Sequence, residues 1–382
     1  MRILIVTDAW YPQVNGVVRT LTAMRDQLTE LGEEVHMLAP DGFKSVPCPT
    51  YPEIRLALAG PGAVAKVVSR FLPCAIHIAT EGPLGLAARN FCLKRGLPFT
   101  TAFHTRFPEY VEARFRLPAD WSYPAMRWFH RHSSVVMAPT PTVVENLRAR
   151  GFANVELWGR GVDVELFKPG PGADLASDLA SDLASDLASD LAPGPAGPNA
   201  ASAPVLLYVG RIAVEKNIRA FLDLEHPGRK LVVGDGPMIG ALKARYPDVC
   251  FVGAKHGPEL VSYYNAADVF VFPSLTDTFG LVMLEALACG VPVAAYPVMG
   301  PRDVITDPKV GALDADLGRA VNRALTLNRD DCVAFARARS WPAAAATFRS
   351  YLHEFEPSRL IDAAKAGAAA DAPIAGGLHR DI

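Results

Sequence analysis

An excess of charge of either sign is missing from this sequence. Lys and Arg number 38 against 40 Asp and Glu, so the formal net charge is only −2. No basic field is present to draw in nucleic acid, and no nucleic-acid partner is expected. Long apolar runs are missing too, since none approaches the ~20 residues that span a bilayer. Arg2 leads directly into Ile3–Val6, too short a run for a secretory leader and without a cleavage site. A cytoplasmic protein is the expectation, with peripheral contact at the inner face of the cytoplasmic membrane left open. The six cysteines, Cys48, Cys74, Cys92, Cys250, Cys289 and Cys332, include no C-x-x-C pair. Buried thiols in a reducing compartment follow. The nine histidines show no metal-ligand spacing.

What is present is alternation. The 382 residues are half hydrophobic, enough for two domains with cores of their own. Short apolar runs at Ile3–Val6, Val35–Leu38, Ala75–Ile78, Phe99–Phe103 and Val135–Ala138 read as strands. Helix-period segments such as Val17–Leu31, closed by Gly32, and Leu84–Lys94 lie between them. The pattern restarts at Val205–Val209, Lys230–Val233, Val249–Val252, Val269–Phe272 and Val293–Ala295. Two successive α/β domains, each a doubly wound parallel sheet, are predicted over residues 1–168 and 204–340. Residues 169–203 between them carry an Asp-Leu-Ala-Ser repeat with Leu175, Leu179, Leu183, Leu187 and Leu191 on one drifting stripe. Its Asp residues repel one another at i,i+4 and have no cationic partners. We read a low-complexity insertion without catalytic part, with a coiled-coil or docking role as the alternative.

The densest chemistry lies in Ser274-Leu-Thr-Asp277-Thr-Phe279-Gly280-Leu281-Val282-Met-Leu-Glu285-Ala-Leu-Ala-Cys-Gly290-Val-Pro292-Val. A buried strand, a polar loop, a glycine and an apolar helix follow in order. Free N–H groups at the helix start, near Gly280 to Val282, suit phosphate. Glu285 lies roughly 7–8 Å further along, beyond phosphate reach but placed for hydroxyls of the same ligand. The segment resembles the D/E-x7-E signature of retaining GT-B glycosyltransferases of family 4, the branch with GDP-mannose-dependent mannosyltransferases and glycosyl- or sulfoquinovosyl-diacylglycerol synthases. That resemblance implies two Rossmann-like domains facing a cleft, with acceptor on the first and donor on the second. It gives Asp277 to the transferred sugar and Glu285 to the nucleotide ribose, with Phe279 to Val282 along the donor. Asp277 is one methylene shorter than the commoner Glu.

Other strand ends carry matching loops. Asn15 and Gly16, in Asp8-Ala-Trp-Tyr-Pro-Gln13-Val-Asn15-Gly16, open the first helix; no G-x-G-x-x-G stands there. By resemblance they sit near the sugar and donor phosphate; read alone they are an Asn-Gly turn. Arg211 and Lys216 stand five residues apart after a strand and can grip a diphosphate, Arg as a fork and Lys as a point charge. The resemblance makes them the cations that ease nucleotide departure. Gly236, in Val233-Gly-Asp235-Gly236-Pro237, falls near the nucleotide base by resemblance, or is a plain turn. His104 matches the family's active-site histidine, and Thr105-Arg106-Phe-Pro-Glu-Tyr110 continues the mannosyltransferase-like pattern. Arg106 and Glu81 are acceptor-side candidates, Glu81 being equally a helix-start acid.

Arg160-Gly161-Val162-Asp163 resembles the family's interdomain hinge. Asp314-Ala-Asp316 mimics a metal-binding D-x-D, but capping of the next helix is the better account, and no metal is expected. The mixed aromatic and basic stretch Arg114–Arg131 is read as a packed helix, with a membrane face as the alternative. Residues 341–356 correspond to the family's helix crossing back to the first domain, and 357–382 to a frayed tail. The implied function is retaining transfer of a hexose, mannose from GDP-mannose first, to a glycolipid or glycan hydroxyl, with no cofactor beyond the nucleotide sugar. A UDP-sugar-dependent diacylglycerol glycosyltransferase is the alternative. From other classes come a nucleotide-sugar 2-epimerase and a silent sugar-nucleotide-binding protein.

Overall fold

The computed structural model describes residues 1–13, 15–48, 51–104, 109, 116, 118–174, 203–358 and 360. Arg106, the Asp-Leu-Ala-Ser repeat from 175 on and the tail beyond 360 lie outside the described residues. The chain divides into two compact units. One comprises Met1–Phe103, Met126–Met137 and Phe348–Ile382, and the other His104–Ala125 and Ala138–Thr347.

The first sheet uses β1 (Arg2–Val6), β2 (Glu34–Leu38), β5 (Ala75–Ile78), β6 (Thr100–Ala102), β7 (Val136–Ala138) and β8 (Val155–Leu157), in the order β2-β1-β5-β6-β7-β8. β1 runs parallel to both β2 and β5. The apolar side chains of β1 and all four residues of β5 are buried, because helices cover both faces of a parallel sheet. A separate hairpin pairs β3 (Ser45–Cys48) with β4 (Tyr51–Ala57). The helices are α1 (Gly16–Glu30), α2 (Pro61–Phe71), α3 (Pro83–Arg95), α4 (Tyr123–His130) and α5 (Pro141–Ala149). Leu4, Val6, Ile76 and Ile78 pack with Phe91, Phe99 and Phe129 in the core of the first unit.

The second sheet is parallel throughout its recorded pairings. Its strands are β9 (Val205–Val209), β10 (Arg229–Val233), β11 (Cys250–Phe251), β12 (Val269–Phe272), β13 (Val293–Ala295) and β14 (Gly311–Leu313), in the order β11-β10-β9-β12-β13-β14. The order reverses between β9 and β12, the switch point where doubly wound sheets leave a crevice at their carboxyl ends. Period-2 geometry sends Leu207, Phe270 and Phe272 into one core layer and Leu206, Tyr208, Val269 and Val271 into the other. Each such fully buried side chain contributes about 1.5–3 kcal/mol. The helices are α6 (Ile218–Leu222), α7 (Ile239–Arg245), α8 (Gly257–Asn265), α9 (Leu281–Ala288), α10 (Pro301–Val304), α11 (Leu317–Ala324), α12 (Arg329–Arg337) and α13 (Trp341–Tyr351).

The hairpin, β8 and β14 carry no strand signal in the sequence. Gly311-Ala-Leu313 is too short to show a period, and it exists because Val293 to Ala295 offer it an edge. At the C-terminal end, Phe348 lies edge-on to His77 at 4.8 Å between ring centroids, and the Phe355 amide donates to the Cys74 carbonyl at 2.8 Å. Both contacts lie within the first unit.

Candidate active site

In the second unit the loops after β9 and β12 meet at the switch point. Lys216 ends a short 3₁₀ turn, Val214–Lys216, followed by Asn217 in the left-handed region (φ 51°). Three bonds staple this turn to the loop that follows β12. Asn217 Nδ2 donates to the Pro273 carbonyl at 3.0 Å, and Thr276 Oγ1 to the Glu215 carbonyl at 3.2 Å. Lys216 Nζ reaches Asp277 Oδ1 at 2.5 Å, with the side chains 23% and 13% exposed. Lys216 and Asp277, expected against different parts of a ligand, here form one ion pair. Arg211 leaves the same β9 end, and its carbonyl accepts from Tyr208 Oη at 2.8 Å.

α9 begins beside this pair. Gly280 is its N-cap at φ 82°, and no side chain caps the helix. A Cβ at Gly280 would stand 2.8 Å from the Phe272 ring and 2.9 Å from Met283 Cε. The first amides, including Leu281 and Val282, thus begin the helix with no side-chain acceptor. Phe279 packs its partly buried ring on the core below. One and a half turns on, Glu285 is buried, and its Oε2 accepts from Tyr264 Oη at 2.9 Å. Tyr264, on α8, went unread because its role depends on two helices meeting. Gly236 has a packing reason of its own: a Cβ there would lie 2.4 Å from the Ile212 carbonyl oxygen. That is the close approach of one backbone to another rather than a turn at positive φ.

His104 follows β6 and clusters with the second unit. Its carbonyl accepts from Thr278 Oγ1 at 2.9 Å, tying it to the residue after Asp277. Its Nδ1 faces Arg160 Nη2 at 3.3 Å, and its ring stands edge-on to Trp158 at 5.7 Å. The motif read as a hinge is firmly packed here. A Cβ at Gly161 would lie 2.3 Å from the Trp341 amide nitrogen, and Val162 bridges Ser340. Asp163 Oδ1 accepts from the amides of Glu165 and Leu166 at 3.0 Å, fixing a local turn. Asp316 Oδ1 accepts from the Arg319 amide at 3.1 Å, so the D-x-D mimic is indeed a helix cap. No cluster of three His, Cys, Asp or Glu able to hold a metal occurs among the described residues.

In the first unit, Asn15 is the N-cap of α1 with φ −152°, and its Oδ1 accepts from the Val17 and Val18 amides at 3.0 Å. The Asn-Gly pair is therefore a helix start, not a turn at positive φ. A Cβ on Gly16 would meet nothing within 4 Å, so packing within the protein does not demand a glycine there. At this unit's own switch point, between β1 and β5, stands Asp8, whose role has no local sequence signal. Its carboxylate accepts from the Leu84 amide at 2.8 Å, the Gly85 amide at 3.1 Å and Thr80 Oγ1 at 3.0 Å. Burial pushes the Asp8 carboxyl above its ordinary range, and the hydrogen bonds from Leu84, Gly85 and Thr80 only partly offset this. Asp8 is thus the acid at the start of α3. Glu81 is not; its Oε1 meets His130 Nε2 at 3.2 Å, and His130 Nδ1 meets Thr101 Oγ1 at 2.9 Å. In the stretch read as a packed helix, Tyr123, Met126 and Phe129 are buried, but Trp121 and Trp128 are exposed.

Two six-stranded parallel sheets and an acidic pair spaced D-x7-E fit the class expected from the sequence, the GT-B glycosyltransferases. The comparisons agree. The pattern "Glycosyltransferase Family 4" matches residues 14–166 and "Glycosyl transferases group 1" residues 203–330. The chain is 30% identical over 336 residues, 82% of its length and 83% of the other's, to the GDP-mannose-dependent alpha-mannosyltransferase of Mycobacterium tuberculosis. It is 28% identical to the alpha-monoglucosyldiacylglycerol synthase of Streptococcus pneumoniae, over 94% of this chain and 86% of that one. Among solved structures, sucrose-phosphate synthase from Thermosynechococcus elongatus superposes with a TM-score of 0.69 at 21% identity, covering 95% of this chain and 99% of that one. The chain belongs to glycosyltransferase family 4, has the GT-B fold and is a hexosyltransferase. The epimerase and silent-protein alternatives give way to that membership. No helix among the described residues is long and apolar enough to cross a membrane.

Proposed function

We propose that the enzyme moves mannose from GDP-mannose onto a hydroxyl of a glycolipid or glycan, retaining the anomeric configuration and using no metal. The observation that carries this reading is the Lys216–Asp277 ion pair, held at 2.5 Å where the loops of β9 and β12 meet. In the proposal the donor diphosphate takes over Lys216, Arg211 and the uncapped amides at the start of α9. That frees the Asp277 carboxylate for a hydroxyl of the sugar. Glu285, oriented by Tyr264, accepts from the ribose hydroxyls. As the bond from the anomeric carbon to the diphosphate breaks, charge gathers on the leaving oxygen, which the two cations stabilise in this reading. The acceptor oxygen bonds to the same face of that carbon, and its proton passes to the departing phosphate. His104 lies along the transferred sugar. Asn15 holds the first loop by capping α1, and the open space at Gly16 suits ligand approach. Arg106 and Glu81 remain acceptor-side assignments.

Mannose and guanosine are favoured by the mycobacterial relative, whose name specifies GDP-mannose. The streptococcal relative, by name a monoglucosyldiacylglycerol synthase, supports the diacylglycerol acceptor of the second reading, a UDP-sugar-dependent transferase. Peripheral association with the membrane's inner face belongs with either lipid acceptor. A thermal-shift panel of GDP-mannose, UDP-glucose, UDP-galactose and ADP-glucose decides the donor. The true donor at a hundred times its Kd stabilises the fold by about 2.7 kcal/mol. UDP-glucose acting instead selects the second reading. Lys216→Ala is expected to lower kcat/KM by about 10²–10³-fold with the far-UV circular dichroism unchanged. Unaltered turnover would remove the diphosphate assignment.

A further inference from the structure

Arg160 touches the proposed donor site without belonging to the signature that marks it. The residue is only 8% exposed, and among the described residues no carboxylate acts on its charge. Its guanidinium stacks over the Trp158 ring at 4.1 Å. Nη1 donates to the carbonyls of Trp158 at 2.7 Å and Gly159 at 3.2 Å. Nη2 meets His104 Nδ1 at 3.3 Å. Burial alone pushes the Arg160 pKa down to about 9, which still leaves it charged at neutral pH. A buried cation without a counter-ion is costly unless its N–H groups are used, and here the main chain and one imidazole nitrogen use them.

The direction of that last bond is fixed. Arginine has five N–H donors and no acceptor, so Nδ1 of His104 supplies the lone pair. A neutral imidazole accepting at Nδ1 carries its proton on Nε2. An imidazolium would set Nδ1–H against a guanidinium N–H and one positive charge against another. The ring is held from other sides too. It stands on Trp158, whose Nε1 donates to the Ala344 carbonyl at 3.1 Å, and the His104 carbonyl is tied to Thr278. We propose that Arg160 is a positioning residue that locks His104 as the neutral Nε2–H tautomer, so that this nitrogen offers a hydrogen-bond donor to the transferred hexose. This rests on the proposed donor site only in placing His104 beside the sugar.

Two measurements test it, one of them independent of turnover. In the full chain labelled with ¹⁵N-histidine, long-range proton–nitrogen correlation at neutral pH reports the tautomer, His104 being assigned by its loss in His104→Gln. The expected wild-type pattern is a protonated Nε2 and a bare Nδ1, and Arg160→Gln should mix the tautomers. A proton on Nδ1 in the wild type overturns the proposal. In steady-state assays with the nucleotide sugar, Arg160→Gln should lower kcat by about 10–100-fold with the donor KM nearly unchanged. Arg160→Lys, still donor-only, should recover most of that loss. In a His104→Gln background Arg160→Gln should cost almost nothing further, since both act through one interaction. Full additivity overturns the proposal. Should Arg160→Gln fail to fold, the wild-type spectrum and Arg160→Lys still decide. Should the wild type turn over no nucleotide sugar, the functional reading fails while the spectrum settles the tautomer.

Discussion

Asp8 sits two residues beyond the end of β1, yet its carboxylate serves the first amides of α3. The approach is close enough that a Cβ on Gly82 would lie 2.4 Å from Asp8 Cγ. Burial raises the folded carboxyl above its ordinary 3.8, so the native state holds this proton more tightly than the unfolded chain. The associated stability is complete below that ordinary value and is lost as pH rises through the folded pKa. Asp8→Asn has no such proton. The stability gap between wild type and Asp8→Asn, followed by urea unfolding across this range, is expected to narrow as pH rises. A gap that widens would contradict the burial account. Tyr264 offers a second test. Removing its hydroxyl in Tyr264→Phe takes one hydrogen bond from the buried Glu285 carboxylate, worth about 1.5–3 kcal/mol. Donor KM should rise roughly tenfold with kcat little changed; an unchanged KM would separate Glu285 from the ribose. At this scale the sequence revealed Asp277, Glu285, Arg211 and Lys216 through their spacing. It hid the partners of Asp8, Tyr264, Thr278 and Arg160, because a partner many residues away leaves no local pattern.

The unit β12–loop–α9 is the element on which the donor proposal rests. Its bend depends on Gly280 at φ 82°, facing the Phe272 ring and Met283. Gly280→Ala should cost about 1–3 kcal/mol from backbone strain, read as a lower midpoint in urea, and should weaken donor binding as the α9 amides shift. Gly16→Ala at the head of α1 is the counterpart. With nothing within 4 Å of the new methyl, it should leave the unfolding midpoint unchanged or slightly raised. If Gly16 lets a ligand approach its backbone, only donor KM rises. A destabilised Gly16→Ala would mean the glycine serves packing after all. The order strand, loop, glycine, helix was legible because each step changes hydrophobic period. The reason for each glycine was not, since Gly236 and Gly161 answer to backbones that approach from elsewhere in the fold.

For the whole molecule, two doubly wound sheets follow one another in a single chain, and the matched family patterns stop at 166 and resume at 203. The Asp-Leu-Ala-Ser repeat falls in the gap between them. Replacing Leu175, Leu179, Leu183, Leu187 and Leu191 together by serine should leave both kcat and the melting temperature essentially unchanged. A loss of either would give the repeat the docking role set aside above. The sequence by itself determined the fold class, the switch-point loops and the acidic and cationic residues. Those follow from hydrophobic periodicity and local spacing, which are written along the chain. Only the tertiary structure decided that Lys216 neutralises Asp277, that Asp8 rather than Glu81 starts α3, and that Arg160 meets His104. Those pairings depend on which strands become neighbours in a sheet, and a parallel sheet brings together loops that the sequence keeps dozens of residues apart.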